Sequence, residues 1–364
     1  MAYTNIDDPS AHFQTALYTG TGSANNAITN DGNSDLQPDW IWFKSRDAGN
    51  SHYVVDSSRG RDKGLYPDVI NAEVTSSGST TDCQSFDTDG FTVGTPEDAN
   101  STNSSSSTKV AWQWKANGGT TSSNTDGDIT STVQVNSDAG FSIVTYTGNG
   151  STADQTVGHG LGVRANAVLV KNRDSAVNWV VYVDGLTVNH CLELNTTDGQ
   201  SDSTQGRVLS SSAGSYGTTS IFTLRSGSGS VIQTNTSGAD YVAYCFAEKQ
   251  GYSKFGKYVG NGNADGTFVY TGFKPAWVMT KEIGAAGAWV MYDNKRSTTS
   301  NPQDKYFSAN TEDAEATFTQ YDFVSNGFKF RTSGSENSSG NTHIYMAFAE
   351  NPFTTSTGVP CTAR

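Results

Sequence analysis

The sequence predicts an all-β protein: three tandem antiparallel β-sandwich units of the jelly-roll or concanavalin-like kind, with little helix. Three observations carry this. Short apolar runs rich in Val, Ile, Phe, Tyr and Trp are separated by Gly, Asn, Ser and Asp, the punctuation of strands and tight turns. No segment places apolar residues at helical spacing. Five sequence markers return in the same order three times, which defines the repeat.

The first marker is Tyr18-Thr-Gly-Thr-Gly22, repeated as Tyr146-Thr-Gly-Asn-Gly150 and Tyr258-Val-Gly-Asn-Gly262. The second is an apolar run closed by lysine: Trp40-Ile-Trp-Phe-Lys44, Ala167-Val-Leu-Val-Lys171 and Trp277-Val-Met-Thr-Lys281. The third reads His52-Tyr-Val-Val-Asp56, Trp179-Val-Val-Tyr-Val-Asp184 and Trp289-Val-Met-Tyr-Asp293, with one extra residue in the middle copy that a β-bulge absorbs. The fourth is Gly90-Phe-Thr-Val93, Ile221-Phe-Thr-Leu224 and Gly327-Phe-Lys-Phe330. The fifth is Val110-Ala-Trp-Gln-Trp114, Val242-Ala-Tyr-Cys-Phe246 and Ile344-Tyr-Met-Ala-Phe348.

The markers place unit 1 at 1–118, unit 2 at 129–250 and unit 3 at 251–353. Between the first two, residues 119–128 (GTTSSNTDGD) lack apolar side chains and read as a flexible linker. The join at Gln250-Gly-Tyr-Ser-Lys-Phe255 is short and aromatic, so units 2 and 3 are expected to pack closely. Residues 354–364 read as a polar tail, and the extra length at Ser201–Ser220 as an elaboration of unit 2.

Composition limits the function classes. Hydrophobic residues make up 34% and charged residues 16%, and the 17 Phe, 16 Tyr and 7 Trp demand burial that a disordered chain does not provide. A formal net charge of -13, with basic residues scattered, disfavours nucleic acid and anionic membrane as partners. Met1 to Ser10 includes Asp7 and Asp8 and has no apolar stretch, so no secretory signal is expected, and no run is long enough to span a bilayer. Cys83, Cys191, Cys245 and Cys361 lie far apart, suggesting neither zinc nor a disulfide framework.

Trp40 and Trp42 share one strand face, as do Trp112 and Trp114. Such pairs stack on sugars when exposed, but the other units keep these positions apolar, which favours core packing. Trp179 and Trp289, which answer to His52, remain open to a binding role. Asp56 with Arg59, and Asp293 with Arg296, suit a turn in which Asp accepts backbone N–H groups and pairs with Arg; a carbohydrate site uses the same groups. Unit 2 has Asp184-Gly-Leu-Thr there.

Gly251 to Tyr258 approaches a phosphate-binding loop but leads into a strand and has Tyr258 where the motif needs Ser or Thr, and Gly260 to Gly266 reads as a turn. His12, His52, His159, His190 and His343 form no metal or catalytic motif. Calcium at the Asp/Asn-rich turns stays open, although no turn has EF-hand spacing. No catalytic residue, metal ligand or cofactor is assigned, the binding residues stay undefined, and no enzyme activity is expected.

The Tyr-Thr-Gly-Asn-Gly marker, the Trp-Val-Val-Tyr strand and the endings at Glu248 and Glu350 resemble a family of marine tailed-bacteriophage virion proteins with lectin-like repeats. Asp8-Pro-Ser-Ala-His-Phe-Gln14 and Asp31-Gly-Asn-Ser-Asp-Leu-Gln-Pro38 look like the N-terminal part of that family. The resemblance extends over nearly the whole chain. It implies sandwiches similar to concanavalin or SPRY domains and a structural part on the particle exterior, made in the host cytoplasm. The leading expectation is a tail fibre or adhesin-like appendage contacting host-surface glycans. The alternatives are a capsid decoration or head-fibre protein and, less favoured, a polysaccharide depolymerase. The expected partners are other virion proteins, host glycan and further copies of the chain; a fibre is usually a trimer, but no heptad segment here would drive a coiled-coil stem. The resemblance supplies no site residue.

Overall fold

The computed structural model describes residues 3–76, 82–95, 102–202, 216–225 and 233–361. The fold is nearly all β, in antiparallel sheets. Unit 1 holds β1 (Phe13–Thr19), β2 (Asn26–Thr29), β3 (Trp40–Ser45), β4 (Tyr53–Asp56), β5 (Gly60–Leu65), β6 (Val74–Thr75), β7 (Ser85–Asp87), β8 (Gly90–Val93) and β9 (Thr108–Trp114). Next come β10 (Ser122–Asn124) and β11 (Ser131–Asn136). Unit 2 continues with β12 (Phe141–Thr147), β13 (Gln155–Gly158), β14 (Ala167–Asn172), β15 (Val180–Val183), β16 (His190–Glu193), β17 (Ser201–Asp202), β18 (Ile221–Leu224) and β19 (Asp240–Phe246). Unit 3 holds β20 (Ser253–Val259), β21 (Phe268–Tyr270), β22 (Phe273–Glu282), β23 (Val290–Asp293), β24 (Gln303–Ser308), β25 (Ala316–Val324), β26 (Gly327–Phe330) and β27 (Thr342–Pro352).

Each unit repeats one main sheet: β1-β9-β3-β4-β5 in unit 1, β12-β19-β14-β15-β16 in unit 2 and β20-β27-β22-β23-β24 in unit 3. The last strand of each unit lies between its first strand and its lysine-closed strand, so the fifth marker is flanked by strands on both sides. A smaller sheet, β2-β8-β7 or β13-β18, covers one face; in unit 3 its counterpart joins the main sheet through β24 and β25.

The first marker is a turn clamp. A Cβ on Gly20, Gly148 or Gly260 would stand 2.2 to 2.3 Å from a carbonyl oxygen, so only glycine fits there. The buried Asn103, Asn235 and Asn337 each accept from the next backbone N–H, at 2.9, 2.9 and 3.1 Å. The marker tyrosine then donates to the carbonyl just before that asparagine, as Tyr18 does to Thr102 at 2.8 Å. The asparagines form a sixth recurring position that the sequence reading missed.

Alternation along β3 assigns two faces. Ile41 and Phe43 join Val55, Phe91 and Val93 inside the unit 1 sandwich, while Trp40 and Trp42 turn the other way with Trp112 and Trp114. That second face meets the other two units. Trp40 stacks on Tyr244 of unit 2 with ring centroids 4.4 Å apart, Trp114 meets Trp277 of unit 3 at 5.9 Å, and Phe246 meets Phe348 at 5.6 Å. The three sheets therefore share one aromatic core.

This corrects the expectation of a tethered first unit. The segment 119–128 is built into the body: Gly118 and Gly119 donate to the buried Asp39 carboxylate at 3.0 and 2.9 Å, and Ser122–Asn124 pairs with β11. Its Gly/Ser/Thr composition gives no apolar anchor, but it supplies backbone N–H groups that compensate a carboxylate taken out of water. Burial raises the Asp39 pKa, and these hydrogen bonds partly oppose that rise. Of the Ser201–Ser220 elaboration, residues 203–215 lie outside the described residues.

Candidate functional site

The residues singled out in the sequence converge on the junctions between units. Every junction uses the same two backbone anchors in the same cyclic sense, unit 1 onto 3, 2 onto 1 and 3 onto 2. The strand-closing lysine crosses over: Lys44 Nζ donates to Glu312 O at 3.0 Å, Lys171 to Ile70 O at 2.9 Å and Lys281 to Thr197 O at 3.3 Å. The first residue of the third marker does likewise. Trp179 Nε1 donates to Tyr66 O at 2.8 Å and Trp289 Nε1 to Glu193 O at 3.1 Å. His52 takes that role in unit 1: its Nδ1 accepts from Trp42 Nε1 at 2.8 Å, which leaves Nε2 to donate to Ser308 O at 3.1 Å. Trp179 and Trp289 are 1% and 0% exposed, which removes them as ligand platforms.

Asp56 accepts the N–H groups of Ser58 and Arg59 at 3.0 and 2.8 Å and pairs with the Arg59 guanidinium at 2.5 Å. Asp293 does the same with Lys295, Arg296 and the Arg296 guanidinium. The turn expected from the i to i+3 spacing is thus present, but both ion pairs are fully buried and closed to carbohydrate. Each arginine also holds a glutamate of its own unit, and the neighbouring unit completes the cluster. Arg59 also pairs with Glu73, itself held by Arg173 of unit 2, while Tyr244 OH donates to Asp56 at 2.7 Å. Arg296 pairs with Glu315, itself held by Arg46 of unit 1, while Trp112 Nε1 donates to Asp293 at 2.9 Å.

The third junction builds the same place without charge. Met346 stands where Trp112 and Tyr244 reach an aspartate and brings no donor, and Val183, paired with Ala167 as Asp56 is with Trp40, takes the aspartate's place. The extra residue of the middle copy is not absorbed by a β-bulge but puts Asp184 one position further on, where it binds Arg164 and Asn166 of its own unit. Thr187 and Gln200 replace Arg and Glu, exchanging two hydrogen bonds of 2.8 Å, and Ile283 replaces Arg46 and Arg173. The absence of an arginine after Asp184 is therefore a change of junction chemistry. Arg46 and Arg173, each two residues beyond a closing lysine, were the sequence signal for these clusters that went unread.

Burial lowers the pKa of Lys44, Lys171 and Lys281 from the usual 10.5 to about 8. Between those values the unfolded chain binds more protons than the folded one, so stability rises with pH. Burial raises the Cys83 thiol to about 12 and holds Tyr146 and Tyr244 well above 10, which reverses the slope at higher pH. The melting temperature is expected to climb from about pH 7.5 to about pH 9 and to fall beyond about pH 10.5. A flat or falling Tm from pH 7.5 to 9 in a calorimetric titration is the contrary result.

The surface offers polar clefts at the junctions. One of about 400 Å³ lies between units 1 and 3, walled by Thr15, Asp31, Asn294, Lys295 and Glu350; another of about 450 Å³ lies between units 2 and 3, near Thr187, Gln200 and Lys257. The five histidines stay apart: His343 stacks on Tyr258, His159 is held by backbone groups, and His12 packs on Tyr252. Among the described residues no group of three or more His, Cys, Asp and Glu side chains converges to hold a metal, and no helix is long and apolar enough to cross a membrane. Gly251 to Tyr258 enters β20 and Gly260 to Gly266 is a turn, as expected. Exposed aromatics gather on unit 3, where Phe268 and Tyr270 face outward from β21, Tyr3 OH lies 3.4 Å from Tyr270 OH, and the Tyr3 ring meets Phe353 edge-on.

No curated protein and no solved structure matches the chain. A family profile described as a domain of unknown function (DUF7483) matches residues 8–352, one continuous span over all three units, and the chain belongs to that family.

Proposed function

We propose that the chain is a bacteriophage virion protein carried on the particle exterior, a tail-fibre or adhesin-like appendage that contacts host-surface glycans and acts by binding. The observation that carries the glycan reading is the outward aromatic row Phe268, Tyr270, Tyr3 and Phe353, with Phe268, Tyr270 and Phe353 at 44%, 51% and 36% exposure. Rings of this kind, with hydroxyls at one end, present an apolar face and a polar tip to a sugar. The tandem sandwich markers and a polar surface supplied mainly by uncharged residues support the virion reading.

A second reading is favoured by the cyclic closure of the units: a body with three similar faces suits a threefold position on a capsid lattice, as a decoration or head-fibre protein. Cryo-electron microscopy of the intact particle, with copy counting, separates the two. Tail density in a few symmetric copies is the expected result. Density covering the head overturns the adhesin reading, and absence of the protein from purified particles overturns both.

A further inference from the structure

We propose that the cleft between units 1 and 3 receives an extended, uncharged polypeptide strand from a partner protein, which adds antiparallel to the free edge of β1. This goes beyond the virion reading and does not depend on it.

The chain carries its own template. At the junction of units 1 and 2 the corresponding space is filled by β11, paired antiparallel with β12 so that Gln134 stands opposite Ile143. The Gln134 amide donates to Ser57 Oγ at 2.9 Å and Ser58 Oγ at 2.7 Å, and accepts from Asn117 N at 3.1 Å and Gly119 N at 2.8 Å. The repeat maps Ile143 onto Thr15, Ser57 and Ser58 onto Asn294 and Lys295, and Asn117 onto Asn351. These four counterparts all line the cleft of about 400 Å³. The missing component is the counterpart of β11. The segment that precedes β1 runs elsewhere, Tyr3 OH donating to Gly272 O at 2.6 Å and Thr4 Oγ1 to Gln250 O at 2.7 Å.

The edge is prepared for a strand. His12 O accepts from Lys115 N and Gly20 N donates to Ser107 O, so residues 12, 14, 16, 18 and 20 bond to β9 and its extensions. By antiparallel alternation the N–H and C=O of Thr15 and Leu17 point away from β9, along the free edge. Thr15 Oγ1 is buried, with the residue 5% exposed, and has no hydrogen-bond partner. An amide side chain opposite it, as Gln134 is opposite Ile143, reaches both that hydroxyl and Asn294. The occupant is uncharged because the charged walls are already paired, Lys295 with Asp31 at 2.8 Å and Glu350 with Lys274 at 3.0 Å, and because β11 itself carries no charge. Main-chain bonds along a sheet edge supply affinity and alternate side chains supply selection, the mode of β-strand addition.

The test uses the full chain and a synthetic peptide of residues 129–137 as the probe, read by amide hydrogen exchange. At saturating peptide, exchange at the Thr15 and Leu17 amides is expected to slow by about tenfold or more. A peptide carrying Thr132→Pro, which loses a ladder donor while keeping Gln134, is expected to give no protection, and this control leaves the protein's own folding untouched. Unchanged exchange at Thr15 and Leu17, equal protection by the proline peptide, or protection confined to Phe255 and Lys257 of β20 would each overturn the proposal.

Discussion

Trp114→Ala is expected to destabilise the entire chain by roughly 3–5 kcal/mol, the range for emptying a large aromatic site in a packed core. Trp114 is 1% exposed and its ring meets Trp40 and Phe13 of unit 1, Phe246 of unit 2, and Trp277 and Phe348 of unit 3, with centroids 4.5 to 6.5 Å away. No unit can close over the void without moving the other two. Trp114→Phe is expected to cost much less, because the indole Nε1 is buried without an acceptor and its removal relieves that penalty. Urea unfolding of both variants, followed by tryptophan fluorescence, measures the difference; an alanine cost under about 1 kcal/mol would mean that the common core contributes little.

The second large effect is expected at the buried ion cluster between units 3 and 1. Arg296→Ala leaves Asp293 fully buried without its cation and weakens the hold on Glu315; breaking a buried pair on one side costs about 3–5 kcal/mol. The guanidinium also lies over the Phe307 ring at 4.5 Å and the Trp112 ring at 5.4 Å, contacts that alanine removes as well. Arg46→Ala strips the same Glu315 of its other partner, but Arg46 is 23% exposed and water replaces part of the loss, so about 1 kcal/mol is expected. Equal costs for the two arginines, in denaturant titrations, would contradict this ranking. The uncharged Thr187–Gln200 junction shows that closure does not require ions; the ions matter once their partners are already out of water.

The strands were legible because short runs of Val, Ile, Phe, Tyr and Trp between Gly, Asn and Ser have few other readings. The Asp-Arg turns were legible because both partners sit within one turn. What lay beyond was the third dimension of the same residues: Arg59 meets Tyr244 and Trp112 meets Asp293 across separations of 185 and 181 residues, which no local pattern encodes. A clue was present in Trp40-Ile-Trp-Phe43 and Ala167-Val-Leu-Val170. Neither run alternates apolar with polar, as a strand with one wet face does, and both are buried on both sides. The linker was misread for the converse reason. Composition reports the side chains of 119–128, whereas what anchors that segment is its backbone N–H groups on Asp39 and its pairing with β11. At the candidate site, sequence favoured the core for Trp40, Trp42, Trp112 and Trp114, but it left Trp179 and Trp289 open to binding, and these are buried as well. It gave no warning of the aromatic row on unit 3, which joins Phe268 and Tyr270 of β21 to Tyr3 and Phe353 from the two ends of the chain.

Scanning calorimetry of the intact protein tests the central claim, that three sandwich units close around one core and fold as one body. The account predicts a single transition whose calorimetric and van't Hoff enthalpies agree across the whole chain. Two or three resolved transitions, each of a size suited to one unit, would contradict it.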